Sequence, residues 1–234
     1  MAARRFAWLL LAATALGVLV SALWRTSVLA ADDPARQLVE RGAFKQARAI
    51  LGPRLHANPR DAETAWLMSQ VKIAFGDEKA GLELAEHAVA LDGGNAAYHL
   101  HLAEACGQMA QKAGPLKGLG LARRFRREAE TAVRIDPRSV DARFDLMMFC
   151  LKAPGIAGGD KKRARALADT ILLLDPVRGQ IAQGRLALEQ KDSVRAGEFY
   201  RKAVEADPKS REAQMAAAAY YAGSSQKKDR KSVV

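Results

Sequence analysis

Histidine and cysteine are scarce in this chain, four and two among 234 residues, and that scarcity removes most metal and thiol chemistry at the outset. His99 and His101 lie two apart, and helical neighbours at that spacing point in different directions, whereas metal-binding pairs stand three or four apart. His101 with Glu104 has the spacing but supplies only two ligands, so neither a metal nor a cofactor is expected. Aromatic residues make up 6% and are not interleaved with basic clusters, which argues against base stacking and a nucleic-acid partner. Runs that alternate apolar and polar residues, as half-buried strands do, are almost missing. Gly-x-Ser-x-Gly elbows, zincin motifs and recognisable nucleophile–base pairs are missing too. Gly118-Leu119-Gly120 opens a helical pattern with no strand before it, and Arg123 stands where a dinucleotide fingerprint needs its third glycine. Gly155 to Lys161 lacks the spacing of a phosphate loop. An enzyme is not expected.

What is present is a repeated phrase. Helix-like runs end in Asp136-Pro137, Asp175-Pro176 and Asp207-Pro208, with Asn58-Pro59 upstream and the related Leu91-Asp92-Gly93 between. Proline cannot continue a helical ladder, and Asp before it can cap the next helix. Pro59 to Gly93 spans 34 residues, the length of a two-helix tetratricopeptide unit. The later intervals, to Pro137, Pro176 and Pro208, read as the same unit with about ten residues inserted, then about five, then a slight deletion. Ala47, Ala164 and Ala196 stand where the helices of a repeat cross, and Ala88, Ala132 and Ala203 where the second helix meets its neighbour. Gly42-Ala43-Phe44 and Phe75-Gly76-Asp77 supply turns, and Gly184 and Tyr200 match a glycine and an aromatic of the pattern. From about Asp33 to Tyr221 the chain resembles the tetratricopeptide-repeat proteins, of an exported bacterial type. It departs from them in lacking the early Trp, in Gly81 for a crossing Ala, and in Gly93 for a terminal Pro.

The resemblance implies an all-α fold, a right-handed α-solenoid of antiparallel helix pairs with about five repeats and a C-terminal capping helix. Helices are expected near 34–41, 43–57, 61–75, 78–91, 95–112, 118–135, 139–152, 160–174, 178–190, 193–206 and 210–222. Three regions follow: a signal peptide or membrane anchor at 1–30, the solenoid at 31–222, and a basic, disordered tail at 223–234.

Arg4 and Arg5 precede an uncharged apolar stretch from Phe6 to Trp24, and Val28-Leu29-Ala30 offers small side chains at the positions a signal peptidase reads. The stretch is longer than a usual signal core of roughly 7–15 residues and close to the ~20 of a spanning helix. The chain is therefore expected in the periplasm, either soluble after cleavage near Ala30 or tethered to the inner membrane by residues 6–24. The formal charge of +11 gathers in Arg123, Arg124, Arg126 and Arg127, then in Lys161, Lys162, Arg163 and Arg165. These read as a solvated outer face offset by Glu128, Glu130 and Asp169, or as a patch for anionic partners.

Cys106 and Cys150 fall at equivalent places in neighbouring repeats. Helix axes ~8–10 Å apart exceed the reach of a disulfide, about 7 Å between Cα atoms, so free buried thiols are expected even in an oxidising compartment. The resemblance also implies a concave groove lined by the first helix of each repeat. At those positions stand Trp66, Leu100, Phe144 and Ile181, with Gln70, Glu104, Met148 and Arg185 four residues on. Apolar residues with scattered polar ones suit an amphipathic or extended peptide, and the Lys, Asn and Arg of a carboxylate clamp are missing. An alternative places the same residues in the core. Ala153-Pro154-Gly155-Ile156-Ala157-Gly158-Gly159 resembles an insertion of some exported relatives.

The resulting expectation is a non-enzymatic scaffold or assembly factor of the bacterial cell envelope, binding a protein or peptide in its groove. Alternatives are a chaperone-like module resembling those of cytochrome c maturation, and a structural protein held on a membrane surface by the basic clusters.

Overall fold

Acidic, amide and hydroxyl side chains start most of the helices of this chain. In the computed structural model, which describes residues 33–232 with side chains as far as Gly223, Asp33 caps α1 (Pro34–Glu40) and Asp61 caps α3 (Ala62–Ala74). Between and after them lie α2 (Phe44–Ala57) and α4 (Glu78–Leu91). Asn95 caps α5 (Ala96–Lys112), Ser139 caps α7 (Val140–Lys152) and Asp160 caps α8 (Lys161–Leu174). Asp175 caps α9 (Pro176–Glu189) and Asp192 caps α10 (Ser193–Ala206). Each accepts a hydrogen bond from a first-turn N–H that has no helical partner, an arrangement worth about 1 kcal/mol per cap. The remaining helices are α6 (Pro115–Ile135), opened by Gly114 and Pro115, and α11 (Arg211–Ser232). A 3-10 turn spans Gly155–Ala157.

The Asp-Pro phrases do two different things. Asp175-Pro176 starts a helix at once, because the proline ring fits a first turn whose N–H needs no partner, so α9 begins two positions ahead of the expected 178. At Asp136-Pro137 and Asp207-Pro208 the carboxylate instead accepts from Arg138 and Lys209 N–H, 2.9 Å each. Ser139 and Ser210 then do the capping. Asn58-Pro59 behaves likewise ahead of Asp61. Pro115 also lets α6 start at 115 instead of 118, so the first insertion lengthens a helix. α11 runs past residue 222 to Ser232, where the composition predicts a disordered tail; Gly223 alone costs about 1 kcal/mol in a helix and no proline follows it.

The chain divides after Leu84 into two compact units. In the first, α1, α2 and α3 bury Ala35, Val39, Ala47, Leu51, Leu67 and Val71. The second holds two linked cores, one around Leu146, Met147, Ala164 and Ile171 and one around Ile181, Ala196 and Tyr200. Its helices pack each on the next as antiparallel pairs, and α9 also touches the first helices on either side of it, α7 and α11. All six alanines assigned to crossings have no exposed surface. Only a methyl fits where backbones approach so closely. Gly42 and Gly76 take φ of 73° and 81° in the two turns, a region that favours glycine. Tyr200 lies across Gly184, where a Cβ would meet the ring at 2.8 Å.

The signal or anchor expected at 1–30 lies outside the described residues. Among those described, no helix is long and apolar enough to cross a membrane. Cys106 and Cys150 are both buried and free, and burial pushes the Cys106 thiol up to about 11 and raises that of Cys150 as well. Thiolate is the reactive form. Maleimide at neutral pH is therefore expected to leave the folded chain largely unmodified and to take both thiols after denaturation without reductant. Absence of any adduct in the denatured chain would mean that the two form a disulfide.

Candidate binding groove

First helices of the second unit supply the groove. Phe144 from α7, Ile181 and Arg185 from α9, and Arg211, Glu212, Met215, Ala216 and Ala219 from α11 line an open cavity of about 590 Å³. Three of the eight positions assigned to a groove are thus brought together. Ile181 is only 2% exposed and forms the floor while belonging to the core, so the core alternative holds for that residue. Phe144 is half-buried, wedged against both cores. Arg178, which the sequence reading missed, lies over it with the guanidinium carbon 5.3 Å from the ring centroid. Met215, 60% exposed, stands at the rim.

Arg178 is held in turn by Glu212 at 3.2 Å and by Asp141. This network ties α7, α9 and α11 together across the groove wall. Asp145, also missed, sits one residue beyond Phe144. Burial raises its carboxyl to about 6, and the neighbouring Glu104 and Asp141 carboxylates push the same way against Arg178. A carboxyl so placed holds its proton to higher pH than usual and donates to Glu104. Glu104 is therefore part of an acidic pair, and Leu100 and Met148 are half-buried nearby in sequence, Met148 packing on the core. A sequence signal for these charges existed: Asp141, Asp145 and Arg178 stand within a helical turn of assigned positions.

Trp66 and Gln70 belong to the first unit. Trp66 is half-buried against its core, with the Arg36 guanidinium carbon 5.0 Å from the ring centroid, and Arg36 pairs with Glu63 at 2.6 Å. The two histidines do structural work. His99 contacts the Glu128 carboxylate through Nδ1 at 2.7 Å and the Gly93 carbonyl through Nε2 at 3.1 Å. His101 lies 3.5 Å from Glu104. No group of three or more metal-ligating side chains is found among the described residues.

The basic clusters separate by role. Arg123 donates to the Ile156 carbonyl, and Arg126 to the Gly158 carbonyl and to Glu130. Arg163 shares Glu130, Arg124 pairs with Glu86, and Lys161 pairs with Glu189. Glu128 and Asp169, assigned as offsets for this face, are engaged elsewhere, by His99 and Gln183. Two insertions far apart in sequence are thereby joined, the lengthened α6 and the 153–159 loop.

Solved structures share this fold. A thermophilic tetratricopeptide-repeat protein of Thermus thermophilus, TTC0263, superposes with a TM-score of 0.68 at 21% identity, covering 80% of this chain and 95% of its own. The fold is that of the tetratricopeptide-repeat proteins. MamA follows at a TM-score of 0.55 and 17% identity over 76% of this chain and 96% of its own. YrrB, described as a tetratricopeptide-repeat protein with an unusual peptide-binding site, gives 0.53 at 16% identity, over 78% of this chain and 87% of its own. No family model and no curated protein sequence matches the chain. At these identities the tetratricopeptide likeness concerns fold, and the groove chemistry rests on this chain's residues.

Proposed function

We propose that this tetratricopeptide-repeat chain is a non-enzymatic scaffold or assembly factor of the bacterial cell envelope that docks a protein segment between α7, α9 and α11. The observation that carries the reading is the 590 Å³ cavity with Phe144 and Ile181 beneath and Arg185, Arg211 and Glu212 around its edge. An apolar floor takes side chains of an amphipathic or extended segment, and the charged edge sets its direction. The peptide-binding site described for YrrB supports a ligand of this class. Export rests on the sequence alone, on Arg4, Arg5 and the apolar run to Trp24. Anchors buried at Phe144 are worth roughly 1.5–3 kcal/mol each, which suits reversible binding.

A photo-reactive residue at Met215 is expected to yield a discrete adduct in cells, while one at Leu173, 86% exposed on the second-helix layer, yields none. Phe144→Ala should weaken capture by roughly ten-fold or more. Equal labelling from both positions would sink the groove. N-terminal sequencing tests export separately: a mature chain beginning near Asp32 means cleavage, and intact Met1 in membranes means a tether.

A further inference from the structure

The corner where the two insertions meet carries chemistry that the groove does not use. The 3-10 turn Gly155–Ala157 forms a ridge between two cavities, and Ile156 and Ala157 line both. On one side Arg123, Arg126, Arg127 and Glu130 surround about 420 Å³. On the other, Pro115, Leu119, Ala122, Pro154 and Ile156 line about 480 Å³ of mostly apolar surface. Ile156 is 69% exposed and Leu116, at the start of the same lengthened helix, 89% exposed. Isolated exposed side chains mean little, but an apolar recess lined in part by the exposed Ile156, with a basic recess beside it, is an interaction surface.

The corner is also built to hold its shape. Arg123 and Arg126 are positioned by the carbonyls of Ile156 and Gly158; a carbonyl orients a guanidinium without neutralising it, so Arg123 keeps its full charge while Arg126 also pairs with Glu130. Gly158, at φ 105°, brings its backbone so close that a Cβ there would stand 2.5 Å from an Arg126 nitrogen. A Cβ at Gly159 would stand 1.8 Å from the Ala153 carbonyl oxygen. Among the described residues that line the basic recess, Glu130 is the one carboxylate, and Arg126 and Arg163 already share it. Positive charge is left over, and fixed guanidinium forks match carboxylates in particular.

We propose that this corner is a second docking site, taking an acidic amphipathic segment of a partner protein whose apolar side chains enter the Leu119–Ile156 recess while its carboxylates meet Arg123, Arg126 and Arg127. The recessed form of the apolar side favours a peptide, which can insert a side chain, over a bilayer surface, which meets protrusions. The site is independent of the groove on α7, α9 and α11, so either can fail without the other.

The test uses the full chain in detergent micelles with Leu116→Cys carrying an environment-sensitive fluorophore; burial leaves Cys106 and Cys150 unlabelled. A displayed library of short random peptides is selected on the wild-type chain alone, and the enriched peptides are then measured on wild type and on Arg127→Glu, a change at a side chain that holds no part of the loop. Enrichment of Asp and Glu beside Leu, Ile or Phe is expected, with a blue shift of the fluorophore on peptide addition. Affinity should fall roughly ten-fold or more in Arg127→Glu and weaken with salt. Peptides without acidic bias, or binding indifferent to Arg127→Glu, would overturn the proposal. So would a fluorophore that responds only when phosphatidylglycerol is mixed into the micelles, which would assign the corner to lipid.

Discussion

Gly179→Ala is expected to lower the melting temperature of the second unit by about 6–12 °C. Gly179 stands in the first turn of α9 against α8, fully inside the helix pair. A Cβ built there would lie 2.2 Å from Leu172 Cα and 2.7 Å from its N. The obstacle is backbone, which cannot rotate aside, so the two helices must separate and the Ile171–Ala182 packing must open with them. Overpacking of this kind costs about 1–3 kcal/mol, and backbone contact places the change at the upper end. At roughly 2–4 °C per kcal/mol for a chain of this size, the stated shift follows. Gly120→Ala in α6 is the control: its Cβ meets nothing within 4 Å, and replacing a helical glycine should stabilise by up to about 1 kcal/mol. Thermal denaturation by circular dichroism of both variants checks the pair. A Gly179→Ala melt indistinguishable from wild type would show that α8 and α9 are not packed so tightly.

Gly179 also marks where sequence reading stopped. Alanines at crossings were legible because their period is that of the repeat: Ala47, Ala164 and Ala196 recur with the Asp-Pro phrase, and each has no exposed surface. Gly184 facing Tyr200 was legible for the same reason. Gly179 recurs nowhere, and a single glycine early in a helix carries no period to betray a contact with the preceding helix. The groove shows the same division. Phe144, Ile181 and Arg185 follow from position within the repeat, yet position cannot tell a floor from a rim, and Ile181 proved to be core. Asp145 and Arg178 were passed over because a charge within a turn of an assigned position reads as solvated surface until its neighbours on other helices are known. Joining of the two insertions through Arg123 and Arg126 depends on backbone carbonyls, which have no sequence signature at all.

Asp145→Asn should stabilise the folded chain above neutral pH and do little near pH 4. Burial, with Glu104 and Asp141 close by, raises the carboxyl to about 6, against ~3.9 in an unfolded chain. In the folded state the group therefore keeps a proton that the unfolded chain has already released. Its favourable contribution is complete below the unfolded value and is lost as pH rises through about 6, the reverse of an ordinary salt-bridged carboxylate. The full difference would correspond to ~3 kcal/mol; partial solvent access and coupling to Glu104 reduce it to about 1–2 kcal/mol. Asparagine keeps the shape and the donor toward Glu104 while never ionising. Melting temperatures of wild type and Asp145→Asn should therefore coincide near pH 4 and diverge by about 2–8 °C in favour of the variant near pH 7.5. Glu104→Gln should recover part of the same gain by removing the repelling charge. If Asp145→Asn instead destabilises above neutral pH, the attraction of Arg178 outweighs burial, and the groove wall is an ion pair in place of a shared proton. That distinction decides how the wall beside the groove is held: by a proton shared between Asp145 and Glu104, which is lost as pH rises, or by an attraction between Asp145 and Arg178 that persists.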